Sequence, residues 1–400
     1  MAVIGMRRSG KTTFLWQVLG ERVAQGVGRE GLLYFSFEDE RLAEMTASDL
    51  STVVEEYYRL HPEWRDRQRA VFFLDEIQVV SGWEAFARRL LDTEQVDLFV
   101  SGSSARLLSR EVATSMRGRA MEAVVYPFSL REYLRHVGRE PTQTPERLPK
   151  AARSSLEKDL RVYLEAGGFP ETLGAPARDR LELLRGYVDV ALLRDVVERY
   201  AVSHPVALRW MTRQLLGNAA GTFSVNKFHG DLRSQGIPVA KDTLHAYLGY
   251  LEDAFLIRTV SIATTSERRR MVNPRKVYPI DPGLIPVFDR TGRANLGHAL
   301  ETCVFLSLER RGAEVAYVRT AAGGEVDFLA RYPDGREELI QVCADLESPA
   351  TRDRETRALL DAAREQPRAT LQVVTLQPEP ARTLPARITV HQAAAWLLTD

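Results

Sequence analysis

Cysteine and lysine are both scarce in this sequence, and each scarcity is informative. Two cysteines, Cys303 and Cys343, occur in 400 residues, with no CxxC pair. A disulfide framework and a zinc finger are thereby excluded, and a reducing, cytoplasmic setting is expected. The seven histidines show no metal-ligand spacing. No apolar run approaches the roughly 18 residues of a membrane-spanning helix, and the chain opens on strand-like Ala2-Val3-Ile4 rather than a charged-then-apolar leader. No membrane partner is expected. Neither charge is in surplus, with 54 basic and 54 acidic residues, which excludes a basic coat over the whole chain and an acidic disordered chain. What is present is an ordinary globular composition, 44% hydrophobic and 27% charged, at a length suited to two or three domains of about 150 residues. Only six of the 54 basic residues are lysine, so a lysine at a motif position stands out.

The first lysine is in such a position. Gly5-Met6-Arg7-Arg8-Ser9-Gly10-Lys11-Thr12 matches G-x-x-x-x-G-K-[ST], the Walker A phosphate loop, between an apolar strand and a helix beginning Thr13-Phe14-Leu15. Glycine lets successive N–H groups turn toward one anion, and the helix N-terminus adds its dipole there. Gly5, Arg8, Ser9, Gly10, Lys11, Thr12 and Thr13 are therefore expected to hold ATP. Lys11 would reach the β- and γ-phosphates and Thr12 would ligate Mg²⁺. The apolar run Val71-Phe72-Phe73-Leu74 ends in Asp75-Glu76, a Walker B pattern for a buried parallel strand whose C-terminal end faces the ligand. Asp75 is expected to join Thr12 at Mg²⁺, and Glu76 to polarise the attacking water.

A third strand, Val96–Val100, ends in Ser101-Gly102-Ser103-Ser104. Ser101 is the candidate γ-phosphate sensor; Ser103 and a plain helix-capping turn remain open alternatives. Arg117-Gly118-Arg119 precedes a further strand, Ala123–Tyr126. Arg119, ahead of Arg117, is the candidate to stabilise transition-state charge in a neighbouring subunit's site, with a solvated surface arginine as the alternative.

These phrases, in this order, resemble the prokaryotic AAA-type ATPases whose C-terminal region is a domain of unknown function. Pro127-Phe128-Ser129, Gly167-Gly168-Phe169-Pro170, Tyr278-Pro279-Ile280-Asp281-Pro282-Gly283, Glu325-Val326-Asp327-Phe328 and Ile340-Gln341-Val342-Cys343 carry the likeness along nearly the whole chain. Members of that family have a longer segment ahead of the phosphate loop. By analogy with AAA proteins, the amphipathic helices expected at 154–166 and 178–200 form a lid over the nucleotide, with a helical linker as the alternative reading.

Residues 206–285 read as three helices followed by a β-ribbon, a winged helix-turn-helix pattern. This stretch holds the basic surplus, since residues 201–280 carry 11 basic and 5 acidic side chains. Arg268, Arg269, Arg270, Arg275 and Lys276 form its basic wing and are candidates for duplex DNA contact; protein contact is the competing use. In the last part, Glu301 on a helix and Asp327 on a hairpin fit the carboxylate positions of a restriction-endonuclease-like core. Gln341 and Cys343 stand where a Glu-x-Lys pair would ligate metal and activate water. Glutamine is a poor Mg²⁺ ligand and cysteine supplies no cation, so a degenerate, non-cleaving site is expected.

The expected architecture is α/β. A P-loop NTPase parallel sheet (1–130) is followed by a helical lid or linker (131–205), a winged helix (206–285) and a degenerate nuclease-like domain (286–400). The expected activity is Mg²⁺-dependent ATP hydrolysis coupled to the later modules, with a homo-oligomer or protein client as partner. An ATP-regulated DNA-binding protein with little turnover, and a metal-dependent nuclease, are the alternatives.

Overall fold

Parallel strands covered on both faces need apolar side chains throughout, and residues 70–74 supply them. The computed structural model describes residues 1–42, 44–65, 67–103, 121–289, 295–377 and 384–399. They divide into two units, Met1–Tyr126 with Leu193–Val196 and Asp253–Phe255, and the remainder.

The first unit is built on β1 (Ala2–Ile4), α1 (Lys11–Ala24), β2 (Leu32–Ser36), α2 (Ala47–Leu60), β3 (Ala70–Asp75), α3 (Trp83–Thr93), β4 (Val96–Gly102) and β5 (Glu122–Val124). Its sheet has the order β2-β3-β4-β1-β5, and every pairing is parallel. All strand C-termini therefore lie along one edge, the edge at which open α/β sheets bind ligands. β3 is buried along its whole length. Leu15 of α1 packs with Val3, Val71, Phe73 and Phe99, and the Phe73 and Phe99 rings stack at 4.9 Å. Burying each such side chain stabilises by about 1.5–3 kcal/mol, which fixes α1, and the loop ahead of it, to the end of the sheet.

The second unit begins with α4 (Leu130–His136), α5 (Lys150–Ala166) and α6 (Ala177–Val190), which continues into a π-helical turn, Ala191–Glu198. Then come α7 (Pro205–Gly217), β6 (Thr222–Phe223), α8 (Val225–Ser234), α9 (Lys241–Asp253), β7 (Ile257–Val260), α10 (Glu267–Val272) and β8 (Arg275–Pro279). A small antiparallel sheet of order β6-β8-β7 closes this part. The segment read as the basic wing holds α10. Ser266 accepts a hydrogen bond from Arg269 N at 3.3 Å, and Glu267 faces Arg270 one turn on at 3.7 Å, so local capping organises a turn that periodicity did not show.

The unit ends with α11 (Ile285–Phe288), α12 (Leu296–Arg310), β9 (Glu314–Arg319), β10 (Glu325–Arg331), β11 (Glu337–Cys343), α13 (Pro349–Glu365), β12 (Thr370–Thr375), β13 (Ile388–Gln392) and α14 (Ala393–Leu397). The mixed sheet runs β13-β12-β11-β10-β9. Leu359 and Ala362 of α13 pack on Val326, Leu329, Leu339 and Leu371.

Three short phrases that are far apart in sequence meet here. Phe128 N donates to Gly168 O (2.8 Å), and Gly168 N donates to Asp281 Oδ2 (2.7 Å). Gly283 N donates to Asp281 Oδ1 (2.8 Å), and Arg310 donates to Pro127 O (2.8 Å). Burial pushes the Asp281 carboxyl up to about 6.

Candidate functional site

The loop from Gly5 to Gly10 needs backbone angles that few residues accept. Gly5 has φ 153°, and a Cβ there would sit 2.2 Å from Val125 O. Gly10 caps α1 at φ 108°, and Arg8 occupies the left-handed region at φ 67°. The sequence meets two of these three demands with glycine. Ser9 is 2% exposed, and its Oγ has no hydrogen-bond partner. A buried hydroxyl left unmatched is costly, and a phosphate oxygen is a natural acceptor for it.

The Walker A and Walker B residues of the sequence reading come together. Thr12 Oγ1 donates to Asp75 Oδ2 at 2.8 Å. Lys11, 5% exposed, places its ammonium 3.4 Å from Glu76 Oε1 and 3.3 Å from Met6 O. Glu76 follows the end of β3 in the left-handed region, φ 55°, a strained conformation of the kind that concentrates at functional sites. Burial pushes its carboxyl up, but the Lys11 ammonium, the Gln78 amide and the Arg7 guanidinium outweigh burial and hold it below its ordinary value. Glu76 is therefore an ionised, buried carboxylate paired to the phosphate-loop lysine.

Ser101 and Ser103 separate clearly. Ser101 Oγ donates to Asp75 Oδ1 and accepts from Glu76 N at 3.0 Å. Ser103 Oγ instead donates to Asp195 Oδ1 at 2.9 Å. Gly5, Arg8, Gly10 and Thr13 lie in or directly after the loop, with Arg8 and Thr13 exposed. Arg119, like Arg117 and Ser104, lies outside the described residues.

Three participants were not found from sequence. Tyr34 on β2 donates its hydroxyl to Asp75 Oδ2 at 2.8 Å. Arg7, an unspecified position of the motif, donates to Asp195 through Nε at 2.9 Å and Nη2 at 3.3 Å. Asp195 lies in the π-helical turn and is 2% exposed. The signal it offered was a lone carboxylate between Leu192 and Val196, positions that the helical pattern buries. Such π-turns occur often at functional sites.

The second unit alters the reading of its own candidates. Arg268, Arg269 and Arg270 are exposed on α10. Arg275 lies 3.4 Å from Thr259 Oγ1 and 3.9 Å from Glu252. Lys276, read as a wing cation, is 3% exposed. Its ammonium contacts Asp327 Oδ1 (2.8 Å), Glu301 Oε1 (3.0 Å) and Glu325 Oε1 (3.1 Å). This corrects the sequence reading, since a buried ammonium ringed by carboxylates has no face to offer a phosphate backbone.

Glu301 and Asp327 are thus brought together. Burial, then the neighbouring Asp327 charge, pushes the Glu301 carboxyl up to about 8. Gln341 is buried, while the Cys343 thiol donates to Asp345 O at 2.9 Å. Among the described residues, no three His, Cys, Asp or Glu side chains are set to hold a metal ion, and no helix is long and apolar enough to cross a membrane.

Residues 1–134 match the model of an AAA domain, and residues 157–293 match a domain of unknown function (DUF8612). An uncharacterized protein of Haemophilus influenzae is 30% identical over 87% of this chain and 82% of its own length. Among solved structures, the Walker-type ATPase PABY2304 of Pyrococcus abyssi is similar at 16% identity and a TM-score of 0.41, over 72% of this chain and 90% of that one. The uncharacterized protein MJ1544 of Methanocaldococcus jannaschii is 32% identical over 89% of this chain and 77% of its own. The chain belongs to the family of that archaeal protein, and its N-terminal part is an AAA domain of the P-loop ATPase type.

Proposed function

We propose that the protein binds ATP with Mg²⁺ at residues 5–12 and hydrolyses it. One observation carries the reading. The phosphate loop and the Asp75-Glu76 pair, 63 residues apart at Thr12 and Asp75, meet through a 2.8 Å hydrogen bond, with the Lys11 ammonium 3.4 Å from Glu76. The residues fit the nucleotide, since Ser9 offers a buried hydroxyl without an acceptor and Lys11 a buried cation. Thr12 and Asp75 would hold Mg²⁺, which neutralises phosphate charge when bound. Glu76 would accept a proton from the attacking water once nucleotide draws Lys11 away. Ser101 would position Asp75 and the Glu76 backbone. Arg119 would act from a neighbouring copy, making the active form an oligomer.

Phosphate release from ATP tests this, measured for wild type and Lys11→Ala with and without duplex DNA and over a range of protein concentration. The expectation is turnover that rises with protein concentration and is lost in Lys11→Ala. Equal turnover in both proteins refutes the reading.

A second reading is ATP-regulated DNA binding with little turnover. The observation that favours it is the exposed Arg268-Arg269-Arg270 run on α10, between the two ribbon strands β7 and β8. On this reading residues 206–285 act as a winged helix, after a lid at 131–205 and before a nuclease-like domain at 286–400. Cleavage of DNA is the weaker alternative. A cytoplasmic location and a protein client belong to the same proposal.

A further inference from the structure

Far from the nucleotide site in sequence, the second unit contains a buried ion cluster assembled from three elements. β8 contributes Lys276 and Tyr278, α12 contributes Glu301, and β10 contributes Glu325 and Asp327. The Lys276 ammonium lies 2.8 Å from Asp327, 3.0 Å from Glu301 and 3.1 Å from Glu325. Asp327 and Glu325 are matched on their second oxygens as well, while Tyr278 shares with Lys276 the first oxygen of Glu301. Tyr278 donates its hydroxyl to Glu301 Oε1 at 2.8 Å, and Val342 N donates to Asp327 Oδ2 at 2.9 Å. Arg319 Nε donates to Glu325 Oε2 at 3.3 Å.

Asp327 reaches this position because β10 has a bulge. Val326 pairs with Val318 and Leu329 with Ala316, so β10 carries one extra residue against β9. Bulges of this kind re-aim a side chain. Gln341, one register step beyond the Phe328↔Ile340 pair, is 5% exposed and its Oε1 has no partner.

Two largely buried acidic side chains, Glu301 and Asp327, gathered with the partly exposed Glu325, need a cation beside them. A divalent metal and an ammonium are the two chemical choices, and here the Lys276 ammonium occupies the place between the three side chains. Mg²⁺ holds oxygen at about 2.0–2.1 Å, whereas 2.8–3.1 Å is the length of an N–H···O bond to a carboxylate. The ammonium donates to Glu301 and Asp327 and forms an ion pair with Glu325 at 3.1 Å. The cation is supplied by β8, 51 residues before Asp327.

We propose that Lys276 is a built-in cation standing in for a divalent metal among Glu301, Glu325 and Asp327, and that removing its ammonium turns the same carboxylates into a divalent-cation site. In the natural protein the cluster then fastens β8 to α12 and β10 without metal, and the carboxylates are closed to Mg²⁺.

The test uses the full chain, free of nucleotide, with thermal unfolding measured with and without MnCl₂. Wild type should show no Asp327-dependent response to Mn²⁺. Lys276→Met should unfold at a lower temperature and recover about 2–4 °C or more on adding Mn²⁺, and Lys276→Met/Asp327→Asn should lose that recovery. If Lys276→Met does not fold, the Lys276→Gln/Glu301→Gln variant removes one carboxylate along with the ammonium and keeps Asp327 and Glu325 for the same titration. Asp327-dependent Mn²⁺ binding by wild type overturns the proposal. So does a folded variant without the ammonium that ignores Mn²⁺, or an unchanged unfolding temperature in Lys276→Met.

Discussion

Replacing Glu76 by glutamine should separate nucleotide binding from turnover, in opposite directions. Glu76 is ionised and pairs with Lys11 at 3.4 Å, with side-chain exposures of 9% and 4%. At an effective dielectric of about 20, two unit charges at that distance attract by about 5 kcal/mol. Desolvation offsets most of this, and the Gln78 amide, 2.5 Å from Glu76 Oε2, stays behind in either protein. A net coupling of about 1–2 kcal/mol is a reasonable remainder, which corresponds to a factor of about 5–30. Nucleotide phosphates compete with Glu76 for Lys11, so Glu76→Gln should bind ATP tighter by about that factor. Losing the carboxylate that accepts a proton from water should lower turnover by about 10²–10⁴-fold. Glutamine keeps the size of glutamate at the left-handed position, so the change isolates charge. Equilibrium titration with a fluorescent ATP analogue gives the affinity, and phosphate release under saturating ATP gives the turnover. Weaker binding would refute the competition between Glu76 and phosphate, and turnover within about threefold of wild type would refute the role of Glu76.

Asp195→Ala should release Arg7 from its two hydrogen bonds of 2.9 and 3.3 Å and raise KM for ATP more than it lowers kcat; Asp195→Glu should restore part of the loss, and an unchanged KM would count against this anchoring. Gly168→Ala should destabilise the fold by about 2 kcal/mol or more, because its Cβ would lie 2.1 Å from Phe128 O; chemical denaturation with an unshifted midpoint would contradict the packing. The Glu301 carboxyl, raised to about 8 among Lys276, Tyr278 and Asp327, binds its proton more tightly folded than unfolded. Stability should therefore fall as pH rises from about 4.5 to 8, by at most about 1.4 kcal/mol per unit, and the part from about 7 to 8 lies beyond the range in which Asp281, at about 6, still titrates. Glu301→Gln should flatten that slope in urea unfolding, and a slope equal to wild type would refute it. Replacing Arg268, Arg269 and Arg270 by alanine should weaken salt-dependent duplex binding and reduce its salt slope; binding unaltered in both respects would remove α10 from the interface.

Local pattern was enough where one motif occupies consecutive residues. The phosphate loop, the β3 run and its Asp75-Glu76 end are each contiguous, and the chemistry of turn, strand and helix cap is local. In the structure Thr12 lies against Asp75 and Lys11 against Glu76. The choice between Ser101 and Ser103 was beyond sequence. Ser101 lies near the end of β4 and Ser103 just beyond it, and residues two apart on a strand share a face; the neighbours decide which one meets Asp75. The helix inside the expected wing loop was also missed, because a six-residue helix is specified by its cap rather than by periodicity.

The two scarce lysines show where sequence stops and tertiary structure takes over. Lys11 was identifiable from its flanking glycine and threonine, because the loop that needs it is continuous in the chain. Lys276 sits beside Arg275 in a basic stretch, and sequence assigned it to the surface. Its carboxylate partners lie 25, 49 and 51 residues downstream, on a helix and a bulged strand whose approach no local pattern encodes. The sequence by itself determined the phosphate loop and the parallel strands that present it, since backbone geometry and continuous apolar runs are properties of neighbours in the chain. Only the tertiary structure decided which buried charges meet, because the cost of leaving an ammonium or a carboxylate unmatched in the interior is settled by residues that folding brings from elsewhere.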